Sequence, residues 1–424
     1  MSQQSWCGKI RRGAAIARRI LLPAESPSHT HLVATRDVML PLGYSTNLHA
    51  AESLAEVRER LLPFASAVRE ALGWSKLGID LRLGDVALHD LTRPDALARL
   101  RHDFDALGLS AHTLNGFPLR AFQAPRVKEQ AYLPDWTDPA RLASSLRLLD
   151  VALALSDESL VTISTVPGSY RPFGPQHNDA ALIATNLGRW VVAAHRAWQA
   201  MGRVAVLALE PEPWCLLETS HDVAWFWRGP LAVHGLAAVR AELGSEAEAA
   251  MTRHLGVCVD TCHLSLAFED QATAVQRMAD AGARIAKCQF SAAPEVHLPD
   301  PAGVAALRAL AEPRFMHQTA ATSAAGSLVK CGDLDELDVV LTRLPSATAV
   351  RSHFHIPVFR QPTTHGLSTT VTDSARGLRA CLAHGCTHIA VETYTWSILA
   401  ADEQDARNGT VRELQHLQSL MESA

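Results

Sequence analysis

The chain has 424 residues, of which 48% are hydrophobic and 20% charged, with 24 Gly and 22 Pro; this excludes disordered and fibrous classes and allows a large core. Its 39 Lys+Arg against 44 Asp+Glu leave a net charge of −5, so no long-range positive field would attract a nucleic-acid backbone or an anionic membrane. Eight cysteines without a C-x-x-C pair fit reduced thiols in a cytoplasm.

Residues 1–37 include KIRRGAAIARRILLPAE, whose apolar stretches are too short for a signal h-region or a membrane span. They read as a basic, disordered leader to a single domain over 38–420. From there short apolar runs alternate with amphipathic runs that end near Gly. VMLPLGYSTN (38–47) precedes ESLAEVRERLLPFASAVREALG, and LGIDLRL (77–83), LSAHTLNG (109–116), LVTISTVPG (160–168) and RVAVLALEPEP (203–213) continue the series. LGVCVDTCH (255–263), RIAKCQFS (284–291), AVRSHFHIPVF (349–359) and HIAVETYTW (388–396) complete it. Serial βα units without a G-x-G-x-x-G predict a (β/α)8 TIM barrel rather than an open doubly wound sheet. Nine strand candidates compete for eight places, which predicts an insertion before the last strands, over 292–348, with a small hairpin at FMHQTAATSAAGSLVKCG.

Barrel chemistry comes from the C-terminal ends of several strands, and here the late ends are polar. They carry Glu210 and Glu212, Asp260 and His263, Gln289, His353 and His355, and Glu392. Converging carboxylates repel unless protonated or neutralised, and an oxygen-rich set with one or two imidazoles suits Mn, Zn, Mg or Co. The expected metal residues are Glu210, Asp260, Gln289, His353, His355 and Glu392, and a functional role is expected of His263 as well. Bland readings compete at each place. Glu212 reads as a solvated rim residue, Asp260 also as a helix N-cap, Gln289 also as a buried structural amide, and either His of HFH also as structural. The Gly/Pro/aromatic-rich loops at 115–136 and 164–175 read as substrate covers, with Arg126, Lys128 and Arg171 placed to hold an anionic group.

The series Glu210, VDTCH, Gln289 and Glu392 resembles the metal-ligand pattern of the xylose-isomerase-like TIM barrel superfamily of isomerases, epimerases and apurinic endonucleases. More narrowly, GYSTNLHAAES, TLNGFP, RVKEQAYLPDW, STVPGSY, LEPEPWC, VDTCH, HFHIPVF and VETYTW together resemble the EboE family of metabolite traffic proteins, over roughly residues 38–420. The resemblance implies one divalent metal held by Glu210, Asp260 and Glu392, whose two glutamates also move a substrate proton, and a substrate-binding role for His263. Gln289 departs from the pattern, because sugar epimerases carry His there; a His of HFH is the candidate replacement. The narrower resemblance implies biosynthesis or traffic of a small, prenyl-linked metabolite alongside other proteins of the same operon.

Three functions follow as expectations: a metal-dependent sugar isomerase- or epimerase-like enzyme; a non-catalytic metabolite carrier that keeps the pocket; and, least favoured by the charge balance, an endonuclease-like phosphoesterase. A small-molecule metabolite is the expected partner, with no nucleic acid and no transmembrane segment.

Overall fold

The computed structural model describes residues 42–359 and 366–423; the leader expected at 1–37 lies outside them. Seven strands follow in chain order, β1 (Leu42–Ser45), β2 (Leu77–Arg82), β3 (Leu109–Asn115), β4 (Leu160–Thr165), β5 (Val204–Leu209), β6 (Leu255–Asp260) and β7 (Arg284–Phe290). Then come β8 (Pro294–His297), β9 (Thr319–Ser323), β10 (Leu328–Cys331), β11 (Ala347–Ser352), β12 (Leu367–Thr369) and β13 (Ile389–Val391). β1 to β7 and β13 close into a parallel barrel in which β13 pairs with both β1 and β7. The chain is a (β/α)8 TIM barrel.

Both faces of these strands are covered, which is why they read as continuous buried runs. All six residues of β2 and all seven of β3 are buried. Outward side chains join the large core beneath the helices, while Val206, Ala208, Cys258 and Ala286 form a separate small cluster. The helix Ala180–Met201 shows how the outer layer is specified. Asp179 caps it by accepting from the Ala181 and Leu182 amides, and Gly202 ends it at φ +69°. Ile183, Leu187, Trp190, Val191 and Ala194 recur at helical spacing and are buried. Gly188 lets this helix approach the next, since a Cβ there would stand 2.6 Å from the Gly235 carbonyl oxygen.

The remaining strands form a five-stranded antiparallel sheet in the order β10-β9-β11-β8-β12, inserted between β7 and β13. β9 and β10 form a hairpin across Gly326, at φ +79°. This sheet extends to Thr369, and the ninth strand candidate is its β11, so HFH is not on a barrel strand at all. β11 stops at Ser352, and His353 to His355 follow as an irregular strap. Arg351 clamps the sheet to the barrel: it donates to Glu295 at 2.7 Å and to the Ser265 carbonyl, on the helix Thr261–Leu266, at 2.7 Å. No helix among the described residues is long and apolar enough to cross a membrane.

Candidate functional site at the barrel mouth

Polar residues at the strand ends and on the inserted strap meet in one cleft. Glu210 follows β5, Asp260 ends β6, Glu392 follows β13, and His353 and His355 arrive from the strap; all are buried. Each carboxylate has one oxygen held by donors and the other without a partner. Gln289 Nε2 donates to Glu210 Oε1 at 3.0 Å. The Cys262 amide, the His263 amide and the Ser291 hydroxyl donate to Asp260 Oδ1 at 2.8, 3.1 and 2.7 Å. Asn47 donates to Glu392 Oε1 at 2.6 Å, with Asn115 and Ser45 further out at 3.3 and 3.4 Å. Tyr132 donates to Glu212 Oε1 at 2.9 Å. Glu210 Oε2, Glu212 Oε2, Asp260 Oδ2, Glu392 Oε2 and His355 Nε2 are all buried and have no hydrogen-bond partner.

Asp260 caps the helix Thr261–Leu266 with one oxygen, as expected, while its other oxygen has no partner. Gln289 joins the mouth, but its amide is engaged at both ends, since Cys258 Sγ donates to its Oε1 at 2.8 Å. Among the described residues, three sets of candidate ligand atoms lie within 4.8 Å of one another: His263 with His353 and His355; Asp260 with Cys262 and His355; and Glu210 with Asp260 and His263. Glu392 belongs to none of them, although it opens on the same cleft.

Burial raises Glu210 to about 8, helped by the charge of Asp260. Glu212 and Glu392 are also raised well above the usual range, by burial first and then by neighbouring carboxylates. Burial opposes ionisation of Asp260 too, but the facing His263 and His355, the Ser291 hydroxyl and the His263 amide outweigh it, so this carboxyl falls below its usual range. Burial lowers His263 to about 4 and also lowers His353 and His355. The mouth therefore offers imidazoles kept neutral by burial, one carboxyl held below its usual range and glutamates whose ionisation burial opposes. Unpaired oxygens beside imidazole nitrogens, in a pocket from which water is largely withdrawn, fit a divalent cation.

Several residues escaped the sequence reading. Glu212, expected on the rim, is only 6% exposed because Tyr132, from the 115–136 loop, covers it. Asn47 and Asn115 sit where β1 and β3 end, so the strand-end rule, extended to the early strands, would have found them. The 115–136 loop does cover the cleft, where Phe117, Phe122 and Val127 make an apolar collar with Phe315 and Tyr394. The 164–175 loop supports it indirectly, by stacking Tyr170 on Tyr132 at 4.5 Å. The three expected anion-holding cations are not free at the site. Lys128 lines the cleft but pairs with Asp333 at 2.5 Å, Arg171 pairs with Asp222 at 2.9 Å, and Arg126 is exposed outside the lining.

No family model and no curated protein matches the chain. Among solved structures it is similar to a xylose isomerase-like TIM barrel protein from Mycobacterium smegmatis in complex with magnesium, with 12% identity, a TM-score of 0.49, and 90% of this chain and 98% of that one covered. It is also similar to a D-tagatose 3-epimerase-like protein, at 13% identity and a TM-score of 0.44 over 90% and 97% of the two chains. A third is the IOLI protein with a binding zinc atom, at 12% identity and a TM-score of 0.41 over 89% and 98%. The fold assignment itself rests on the closed sheet: this is a TIM barrel carrying an inserted antiparallel sheet whose strap enters the barrel mouth.

Proposed function

We propose that this protein is a xylose-isomerase-like barrel of the EboE type, a metal-dependent enzyme that moves a proton on a small oxygenated metabolite. The observation that carries this reading is the ring of buried, unpaired acceptor atoms on Glu210, Asp260, Glu392 and His355. A divalent cation, Mn, Zn, Mg or Co, would be held among Glu210, Asp260, Glu392 and the imidazoles and would supply Lewis-acid polarisation of a substrate oxygen. Glu210 and Glu392 serve as the acid–base pair. Burial raises the proton affinity of both, and Glu210, at about 8, lies in the range an acid–base group working near neutrality needs. Asn47 and Gln289 fix the other oxygen of each and so aim the working one. The aromatic collar excludes water and accommodates an apolar, prenyl-like portion of the metabolite, beside the imidazole of His263.

Cytoplasmic placement beside other proteins of its operon accompanies this reading, and the buried free thiols among the described residues are compatible with it. The second reading, a metabolite carrier, is favoured by Gln289, whose amide is locked between Cys258 and Glu210 where an imidazole would be available to a ligand. The two separate on one experiment: metal-loaded protein is incubated in deuterated water with ketoses such as D-fructose and with a cell extract, followed by NMR. Deuterium entering at a carbon next to a carbonyl, abolished by Glu210→Gln, is expected of the enzyme. Ligand-induced stabilisation without any exchange gives the carrier.

A further inference from the structure

We propose that the cation of this mouth is bound primarily by three imidazoles, His263, His353 and His355, together with Asp260, and that the inserted sheet delivers two of the three. This rests on the metal-dependent reading above and names its ligands. The argument is an accounting of lone pairs. A neutral imidazole carries one N–H and one lone pair, and the partner of one nitrogen settles the role of the other. His263 Nδ1 lies 3.1 Å from the Pro211 carbonyl oxygen, which can only accept, so Nδ1 carries the proton. His355 Nδ1 lies 2.7 Å from the Glu392 carbonyl oxygen and is fixed in the same way.

His353 is fixed by a longer chain. Tyr132 donates its hydroxyl to Glu212, so it must accept from the Gln318 amide nitrogen, 2.7 Å away. That orientation turns Gln318 Oε1 towards His353 Nδ1 at 2.8 Å, and Nδ1 donates to it. All three Nε2 atoms therefore carry lone pairs, and the three residues each bring a ring nitrogen within 4.8 Å of the others. His263 Nε2 and His353 Nε2 stand 3.1 Å apart, a distance at which two lone pairs repel unless something electron-poor lies between them. His355 Nε2 has no partner and lies 4.0 Å from Asp260 Oδ2, which has none either.

A shared proton would place an imidazolium where burial disfavours charge. A cation meets the geometry better. With metal–nitrogen bonds of about 2.0–2.1 Å, two imidazole nitrogens on one ion stand about 3.3 Å apart at the tetrahedral angle and about 2.9 Å at a right angle, which brackets the observed separation. The outer shell agrees as well, because each ligand imidazole gives its remaining N–H to a carbonyl oxygen, the arrangement that orients metal-bound histidines. Placing the three together requires the insertion. Phe354 turns away between the two strap histidines, with its ring 5.0 Å from His317, so His353 and His355 both face the barrel. Arg351 ties the same strap to the helix that bears His263. With the imidazoles and Asp260 on the ion, Glu210 and Glu392 keep their free oxygens for proton transfer.

The test uses chelator-treated full-length protein and Co²⁺ alone, titrated by calorimetry and by its visible absorption. The unaltered protein should bind one Co²⁺ with the strong bands of a low-coordinate site. His353→Gln and His355→Gln should each weaken binding by more than the roughly 10–100-fold that loss of a supporting hydrogen-bond partner costs, whereas Glu392→Gln should weaken it by less than either. Zn²⁺ X-ray absorption on the unaltered protein counts imidazoles directly, so a variant that fails to fold does not remove the test. Three imidazoles support the proposal. One or none, with affinity lost in Glu210→Gln and Glu392→Gln but kept in His353→Gln, overturns the ligand set while leaving the metal reading intact; no binding of either ion overturns both.

Discussion

Two polar layers lie one above the other in this barrel, and they differ in how far their buried groups are paired within the chain. In the lower layer Lys287 Nζ donates to Asp80 Oδ1 at 2.7 Å and to Ser164 Oγ at 3.0 Å, with both charged side chains fully buried. In the mouth above it, four carboxylates each keep an oxygen without a partner, and His263, His353 and His355 bring ring nitrogens within 4.8 Å of one another. Burying polar groups is costly unless they are bonded. The lower layer meets most of that cost through its buried ion pair, although Asp80 Oδ2 also lacks a partner, whereas the upper one gathers four such carboxylate oxygens and an imidazole nitrogen in one cleft. The contrast separates residues that hold the barrel from residues that act in it.

Substitutions should therefore have opposite effects in the two layers. Lys287→Met leaves Asp80 buried and unpaired, and should cost about 3–5 kcal/mol in urea unfolding. Arg351→Met removes the clamp between strap and barrel, and should cost about 1.5–3 kcal/mol. Proteolysis would then begin within 294–369 while the barrel resists. The double variant Glu210→Gln, Glu392→Gln should leave the metal-free protein as stable as before or more stable, since burial already disfavours the charged form of both side chains. A loss comparable to that of Lys287→Met would erase the distinction between the layers.

The pH dependence of the metal-free protein sharpens the same point. Glu210 is raised from an ordinary 4.5 to about 8, so the folded state binds the extra proton. Its stabilising contribution is complete below about 4.5 and is lost as pH rises through about 8. His263, lowered to about 4, contributes the reverse: stability present above its ordinary 6.5 and lost as pH falls through about 4. Urea midpoints measured across this range should show the alkaline decline in the unaltered protein and a weaker one in Glu210→Gln.

How much of this was legible depended on whether the partner was near in sequence. Asp260 and His263 announced themselves, because a β-branched run ending in VDTCH places a carboxylate at a strand end and an imidazole on the turn that follows. Glu392 and Glu210 were legible by the same rule. HFH was visible as a strand end, but not as the end of a strand in another sheet, because hydrophobic alternation records burial and not the identity of the neighbour. Glu212 was misjudged for a related reason: Tyr132, which buries it, lies eighty positions away. The cations Lys128 and Arg171 were placed near the mouth correctly in one case, but their partners Asp333 and Asp222 were not readable as such. The tautomers of the three imidazoles required distances.

The most direct measurement is thermal unfolding of the chelator-treated protein with and without added Zn²⁺ or Mn²⁺. A cation that binds only the folded state stabilises it by about 2.7 kcal/mol at a concentration one hundred times its Kd. The account predicts a rise in Tm that saturates at one ion per chain. An unchanged Tm across the titration, with the double Gln variant at least as stable, would contradict it and leave the mouth as a metal-free pocket.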